Sequence, residues 1–162
     1  LTPNVFARGL GLDSMKTVGI LCPNIADNYM ARAVAYLESS FHEHGYNCIL
    51  GCSGFEQDEK EKYVNMLLSK RIDALVLVGS TYAGTGRDEY DTDYIREAAA
   101  QVPVFLINGR VSGENVYCIC ADDYHATYEV TRALIRRGRK KILFFTHSIL
   151  LISKLLMKNL PL

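Results

Sequence analysis

The sequence has no tryptophan, few prolines and no excess of charge of either sign. Its 18 basic and 18 acidic residues give a formal net charge of zero, which excludes a general attraction to nucleic acid or to an anionic membrane. The longest apolar stretch, residues 149–156, is interrupted by Ser153 and Lys154 and is too short to span a bilayer. The sequence shows no secretory signal, so we expect a cytoplasmic protein.

Motifs that identify common enzymes are also missing. Asn24-Ile25-Ala26-Asp27 stands where a dinucleotide-binding glycine loop would follow the first strand, and there is no Walker loop or nucleophile elbow. Asp122-Asp123 could form a paired acid site, but an aspartate between a strand and a helix is usually a helix cap. We therefore expect a binding protein with no catalytic residue and no cofactor.

The five cysteines include no CxxC pair. Their odd number and their positions inside apolar runs predict reduced, buried thiols. Two of them, Cys118 and Cys120, are two residues apart in a predicted strand and should face the same side. A metal site would need more ligands than these, so we predict none. The cysteines are Cys22, Cys48, Cys52, Cys118 and Cys120.

What the sequence does contain is an alternation of apolar strands with amphipathic helices. Lys16–Pro23 is a continuous apolar run, typical of a strand that is buried on both faces. The order β-α-β-α-β-α-β-β-α-β predicts the α/β class, with a parallel sheet between two helical layers, a three-layer sandwich. The predicted strands are 16–23, 47–52, 72–79, 104–108, 116–121 and 141–145. The predicted helices are 27–44, 56–70, 93–101 and 124–137.

Polar residues follow most of the predicted strands. Ligands of open parallel sheets bind beyond the carboxyl ends of the strands. Amides and hydroxyls are frequent there, and Tyr29 and Tyr82 could offer stacking surfaces. The residues that we predict to bind a ligand are Asn24, Asp27, Tyr29, Ser80, Tyr82, Asn108, Arg110 and Asp122.

Five segments, taken in order, resemble the LacI/GalR family of bacterial transcriptional regulators. Pro3–Leu10 is similar to the hinge pattern PNxxARxL of that family. The other segments are Gly45-Tyr46 before the second strand, Arg71–Leu77, Pro103–Arg110, and Asp122-Asp123 followed by Arg137–Ile142. Together they span about Pro3 to Phe145.

The resemblance implies a fold and a function. The fold is a periplasmic-binding-protein-like domain of type I with two lobes, and a sugar or a similar effector in the cleft between them. The function is binding of operator DNA by a homodimer, through an N-terminal helix-turn-helix that this sequence does not show. The family's hinge inserts a leucine into the minor groove, an apolar wedge that kinks the duplex. The implied hinge contacts to DNA are Asn4, Ala7, Arg8 and Leu10.

This resemblance divides the chain into three segments. Residues 1–15 would be a remnant of the hinge and linker, and 16–138 the N-terminal lobe. Residues 139–162 would be the first strand of the second lobe and an atypical tail. We expect most of the second lobe to be missing, including its effector-binding arginine, so that half a cleft binds effector weakly. The first helix and its neighbours should form much of the dimer face.

Two other classes of protein share this order of elements. A solute-binding protein of a sugar transport system would carry a signal peptide, and the hinge-like segment and the free cysteines argue against it. The second class is a flavodoxin-like enzyme or a receiver-type signalling domain. A receiver would have acidic residues after the first strand and a phosphoacceptor aspartate after the third, where Pro23-Asn24 and Gly79-Ser80 stand.

Overall fold

The computed structural model describes residues 14–84 and 91–143, which belong to two compact units that divide between Cys120 and Ala121. The strands, all in the first unit, are β1 (Thr17–Cys22), β2 (Asn47–Cys52), β3 (Ala74–Val78), β4 (Val104–Ile107) and β5 (Val116–Ile119). The helices of the first unit are α1 (Asn28–Glu43), α2 (Gln57–Leu68), α3 (Asp93–Ala99) and a 3-10 helix, Ser80–Ala83. The second unit contains α4 (Asp123–Arg136).

The five strands form one parallel sheet in the order β2-β1-β3-β4-β5. The chain runs from β1 outward to β2 and then returns to β3 on the other side of β1. The direction of winding therefore reverses between β1 and β3. At such a reversal the loops leaving the two strands diverge and open a crevice at the carboxyl ends.

Each face of the sheet carries its own apolar cluster, because successive side chains of a strand point to opposite faces. Val18, Ile20 and Val76 pack with Val34 of α1 on one face. The cluster on the other face joins alternate strand residues to α2 and α3; its members include Leu21, Leu75, Leu77, Val64, Leu67 and Ile95. Burial on both faces explains the uninterrupted apolar runs in the sequence and confirms the predicted three-layer α/β fold.

The bounds of the elements agree closely with the sequence analysis. The predicted β2 is correct at both ends, and α1 is one residue shorter at each end because Asp27 and His44 are its caps. Residues 141–143 of the predicted sixth strand have no strand conformation, and 144–145 lie outside the described residues. The segment 1–12 and the tail 148–162 also lie outside them. Among the described helices, none has the length and apolar character needed to cross a membrane.

Candidate functional site

The loop that follows β1 is a tight turn that ends in a helix cap. Asn24 Oδ1 accepts a hydrogen bond from Ala26 N (2.9 Å), and Asn24 O accepts one from Asp27 N (3.2 Å). The carboxylate of Asp27 accepts a hydrogen bond from Met30 N (2.9 Å), which satisfies one of the free amides at the start of α1. This cap fixes Tyr29 in the first turn of α1, where its side chain remains exposed.

The segments that follow β1, β2, β3 and β4 lie in contact with one another. Gly54 N donates to Pro23 O (3.0 Å), and Gly79 N donates to Ile107 O (2.9 Å). A methyl group placed on Gly79 would lie 3.5 Å from Pro23 Cδ, and one on Gly109 would lie 3.5 Å from Ala83 Cβ. We call this set the strand-end rim: residues 23–29, 53–54, 79–83 and 108–110.

Most of the exposed polar groups of the strand-end rim are side-chain amides and a hydroxyl. Asn24, Ser80 and Asn108 are all exposed and supply both hydrogen-bond donors and acceptors. Asp27 and Arg110 add one charge of each sign. The backbone of Asn108 is left-handed (φ 62°), a conformation that asparagine tolerates better than most residues. A rim of this composition suits a neutral molecule with many hydroxyls better than an ion.

Tyr82 is a buried residue of the rim and does not reach its surface. Its side chain is fully buried, and its hydroxyl lies 2.8 Å from Ser53 Oγ, which is itself buried. Burial raises the pKa of Tyr82 well above its ordinary value. A buried ring has no free face, so the expectation that Tyr82 offers a stacking surface is wrong. Tyr82 instead supports the strand-end rim from below.

Asp122 is the one predicted ligand residue in the second compact unit. Its Oδ1 accepts a hydrogen bond from His125 N (3.0 Å), and its Oδ2 lies 2.8 Å from His125 Nδ1. The aspartate is thus the N-cap of α4, as the sequence analysis predicted. Its part in ligand binding stays a prediction.

Comparison with known proteins assigns this chain to a family. Residues 15–151 match the family described as periplasmic binding proteins and the sugar-binding domain of the LacI family. The chain belongs to this LacI-type family. The resemblance that was found in the five short segments is thereby confirmed.

Individual proteins that are similar to this LacI-type domain support the same family assignment. An HTH-type transcriptional regulator of Lachnoclostridium phytofermentans is 48% identical over 147 residues, which cover 91% of this chain and 44% of the relative. The transcription regulator CcpA of Lactococcus lactis superposes with a TM-score of 0.68 at 26% identity, over 88% of this chain and 50% of that one. The lac repressor dimer bound to operator and the anti-inducer ONPF has the same fold, with a TM-score of 0.70 at 18% identity, over 85% of this chain and 46% of that one. The chain thus spans half or less of the length of these regulators.

A buried lysine in this LacI-type domain was missed by the sequence analysis. Lys60 of α2 is 5% exposed, and its Nζ donates to Thr81 O (3.0 Å), which ties α2 to the 3-10 helix of the rim. Burial lowers the pKa of Lys60. Its spacing could have revealed it, because Lys60, Val64 and Leu67 occupy successive turns of the buried stripe of α2.

The cysteines of the LacI-type domain are less buried than predicted. Cys22 is buried, but Cys52 and Cys118 are exposed because β2 and β5 are the edge strands of the sheet. Cys118 Sγ lies 3.4 Å from Val111 N, and Cys120 Sγ donates to Gly109 O (3.1 Å), so both thiols contact the loop 109–111, in agreement with the prediction that they face the same side. No group of three or more metal-ligating side chains occurs in the described ranges. The predicted hinge contacts Asn4, Ala7, Arg8 and Leu10 lie outside them.

Gly79 holds the rim in a conformation that other residues avoid. Its φ of 129° and ψ of 147° are close to the region that is accessible only to glycine. We expect Gly79→Ala to lower the free energy of unfolding by about 1–3 kcal/mol, measured by urea denaturation. Gly109→Ala is the control, since a methyl group there would make only ordinary contacts, the nearest at 3.4 Å. Equal losses for the two variants would contradict this account.

Proposed function

We propose that this chain is the effector-binding part of a DNA-binding transcriptional regulator, and that its effector is a sugar held at the strand-end rim. The observation that carries the proposal is the convergence of four strand ends at the reversal of winding between β1 and β3. The matched family includes sugar-binding domains, and the relatives described above are regulators.

The rim has the groups that a sugar requires. Sugar hydroxyls both donate and accept hydrogen bonds, and Asn24, Ser80 and Asn108 can meet both needs. The exposed ring of Tyr29 offers an apolar surface for the C–H face of a sugar. In this proposal Asp27 and Arg110 make the remaining polar contacts at the rim, and ligand binding by Asp122 stays a separate prediction.

The proposal is one of binding without turnover. The strand-end rim, all of which the structure describes, contains no histidine that could act as a general base for Ser53, Ser80 or Thr81. The solute-binding and flavodoxin-like alternatives are less favoured, because the relatives from Lachnoclostridium phytofermentans and Lactococcus lactis are named as transcription regulators.

For the whole protein we propose operator DNA as a partner, and a cytoplasmic homodimer as the active form. Asn4, Ala7, Arg8 and Leu10 would contact the DNA. The lac repressor, which shares this fold, forms a dimer that binds an operator, and this supports the proposal. The lobe assignment, with residues 16–138 in the N-terminal lobe and 139–162 beginning the second, is part of the same proposal.

Two tyrosines of α1 provide a matched test of the sugar site. Tyr29 and Tyr36 are seven residues apart on the same face of the helix and are 51% and 75% exposed. Tyr36 lies about 10 Å farther from the rim along the helix axis. We expect Tyr29→Ala to weaken sugar binding about tenfold, from the loss of one ring contact, and Tyr36→Ala to leave it unchanged.

The measurement is a thermal-shift screen of sugars on the intact protein that contains this chain, followed by calorimetric titration of the sugar that raises the melting temperature most. A screen in which no sugar raises the melting temperature would contradict the proposed ligand class. Equal effects of the two tyrosine variants would contradict the proposed location.

A further inference from the structure

Two cysteines face each other at the carboxyl ends of neighbouring strands. Cys22 is the last residue of β1 and Cys52 the last residue of β2, and the register of the sheet pairs them directly. Their Sγ atoms lie 3.9 Å apart. Cys22 is fully buried, whereas Cys52 is exposed. The Cys52 thiol is therefore accessible to small molecules in solution. The Cys22 thiol is not, and it can react only with the neighbouring Cys52.

The backbone already has the spacing that a disulfide requires. Neighbouring strands lie about 4.7–4.9 Å apart, inside the range of about 4.4–6.8 Å that Cα atoms of a disulfide span. Ser53 N donates to Cys22 O (3.0 Å), and this bond holds the two strand ends in register. The sulfur atoms need to approach to about 2.05 Å, a change that side-chain rotation can supply.

We propose that Cys22 and Cys52 form an oxidisable dithiol, which a hydroperoxide converts into an intrachain disulfide at the base of the strand-end rim. The Cys52 thiolate attacks the terminal oxygen of the hydroperoxide, the O–O bond breaks, and the other oxygen leaves as hydroxide, or as alkoxide from an organic hydroperoxide; Cys52 is then a sulfenic acid. Cys22 sulfur attacks Cys52 sulfur, the S–O bond breaks, and the departing hydroxide takes the thiol proton of Cys22 as water. The hydroperoxide is reduced by two electrons, and the dithiol is oxidised by two.

The environment of each thiol assigns its role. Burial, with the neighbouring Cys52 as a smaller cause, raises the pKa of Cys22 to about 12, so that Cys22 stays protonated at neutral pH. A buried, protonated thiol reacts slowly with peroxide, and the exposed Cys52 reacts first. Cys22 is then the resolving thiol, and its attack on Cys52 should become faster as the pH rises, because a larger fraction of Cys22 is then thiolate.

The disulfide would join two segments of the proposed binding surface. Pro23 follows Cys22 directly, and Ser53, the partner of Tyr82, follows Cys52. Only this consequence for the rim rests on the proposed function. The oxidation itself requires no sugar, so a failed sugar screen and a failed oxidation are separate results.

The test treats the 162-residue chain with a small excess of hydrogen peroxide and maps its peptides by mass spectrometry without reduction. We expect a loss of two hydrogen atoms per chain and a cross-linked peptide that contains Cys22 and Cys52, both reversed by dithiothreitol. Cys52→Ser should abolish the cross-link. Cys48→Ser is the matched control, since Cys48 lies on the same strand, pairs with Val18 and should leave the cross-link intact.

A second variant separates the two chemical steps. Cys22→Ser should stop the reaction at the Cys52 sulfenic acid, which dimedone traps as a stable adduct. The proposal is overturned if the folded wild-type chain, checked by circular dichroism, gives no cross-link between these two cysteines. It is also overturned if Cys52→Ser retains the same two-hydrogen loss within one chain.

Discussion

Replacing Tyr82 by alanine is expected to lower the free energy of unfolding by about 3–5 kcal/mol, the usual cost of deleting a buried aromatic ring. The ring is fully buried in the cluster beneath the α2 and α3 face of the sheet. Removing the ring leaves a cavity. Ser53 Oγ loses the Tyr82 hydroxyl, its hydrogen-bond partner at 2.8 Å, and Lys60 Nζ loses contact with the ring, whose centre lies 5.8 Å away. Urea-induced unfolding followed by circular dichroism measures the loss.

Two conservative variants separate the ring from its hydroxyl. Tyr82→Phe keeps the ring and loses only the bond to Ser53, so we expect a smaller loss of about 0.5–1.5 kcal/mol. Tyr94→Phe removes a hydroxyl from the same cluster, but Tyr94 Oη is buried and finds no hydrogen-bond partner among the described residues. Its removal should be neutral or slightly stabilising. Equal losses for Tyr82→Phe and Tyr94→Phe would refute the role given to the Ser53 bond.

The order of strands and helices could be predicted because local physical chemistry determines it. β1 and β3 are buried on both faces, and this produces apolar runs that no surface strand would show. The ends of α1 follow from Asp27, whose carboxylate caps the helix, and from Gly45, whose φ of 77° ends it. Signals of this kind need no knowledge of distant contacts.

The position of the tyrosines could not be predicted in the same way. Tyr29 and Tyr82 both follow a strand by a few residues, and the composition of the two segments does not show which of the two rings is buried. Gly79 and the 3-10 helix turn the ring of Tyr82 back into the core, whereas the cap at Asp27 leaves Tyr29 exposed. The burial of Tyr82 also involves α2, whose Lys60 Nζ lies 5.8 Å from the centre of the Tyr82 ring and donates to Thr81 O.

The exposure of the cysteines depends on strand order in the sheet. Cys22 and Cys52 end similar apolar strands, but β1 is an interior strand and β2 is an edge strand. Which strand lies at an edge is decided by the crossover connections and not by the composition of the strand. The contact between Cys22 and Cys52, on which the proposed disulfide rests, could not be predicted from the sequence for the same reason, because it requires β1 and β2 to be neighbours in the sheet.

Raising the pH above about 10 is expected to destabilise the chain steeply, because three buried groups hold their protons more tightly in the folded state. Burial raises the pKa of Cys22 from an ordinary value of 9.0, and those of Tyr82 and Tyr94 from 10.0. Each group is neutral when protonated, so its contribution is complete below the unfolded pKa and is lost as the pH rises toward the folded one. Between these values unfolding releases a proton, and each group lowers the free energy of unfolding by about 1.4 kcal/mol per pH unit.

Lys60 acts in the opposite direction over a narrower range. Burial lowers its pKa from 10.5, so below that value the unfolded chain binds more protons and stability rises with pH. This gain partly offsets the loss due to Cys22 near pH 10 and ends above about pH 10.5. Beyond that point the three groups with the largest shifts, Cys22, Tyr82 and Tyr94, act together, and their combined contribution to the slope should approach about 4 kcal/mol per pH unit.

The slope can be assigned to single groups by urea denaturation at a series of pH values from 9 to 11.5, starting at the ordinary pKa of 9.0 for Cys22. Tyr94→Phe should reduce the slope above about pH 10.5 by roughly one third, because one of the three groups with the largest pKa shifts is gone. Tyr36→Phe is the control, since this tyrosine is 75% exposed and should not change the slope. If the slope is the same in Tyr94→Phe as in the unsubstituted chain, buried Tyr94 does not contribute to alkaline unfolding and its assigned pKa shift is wrong.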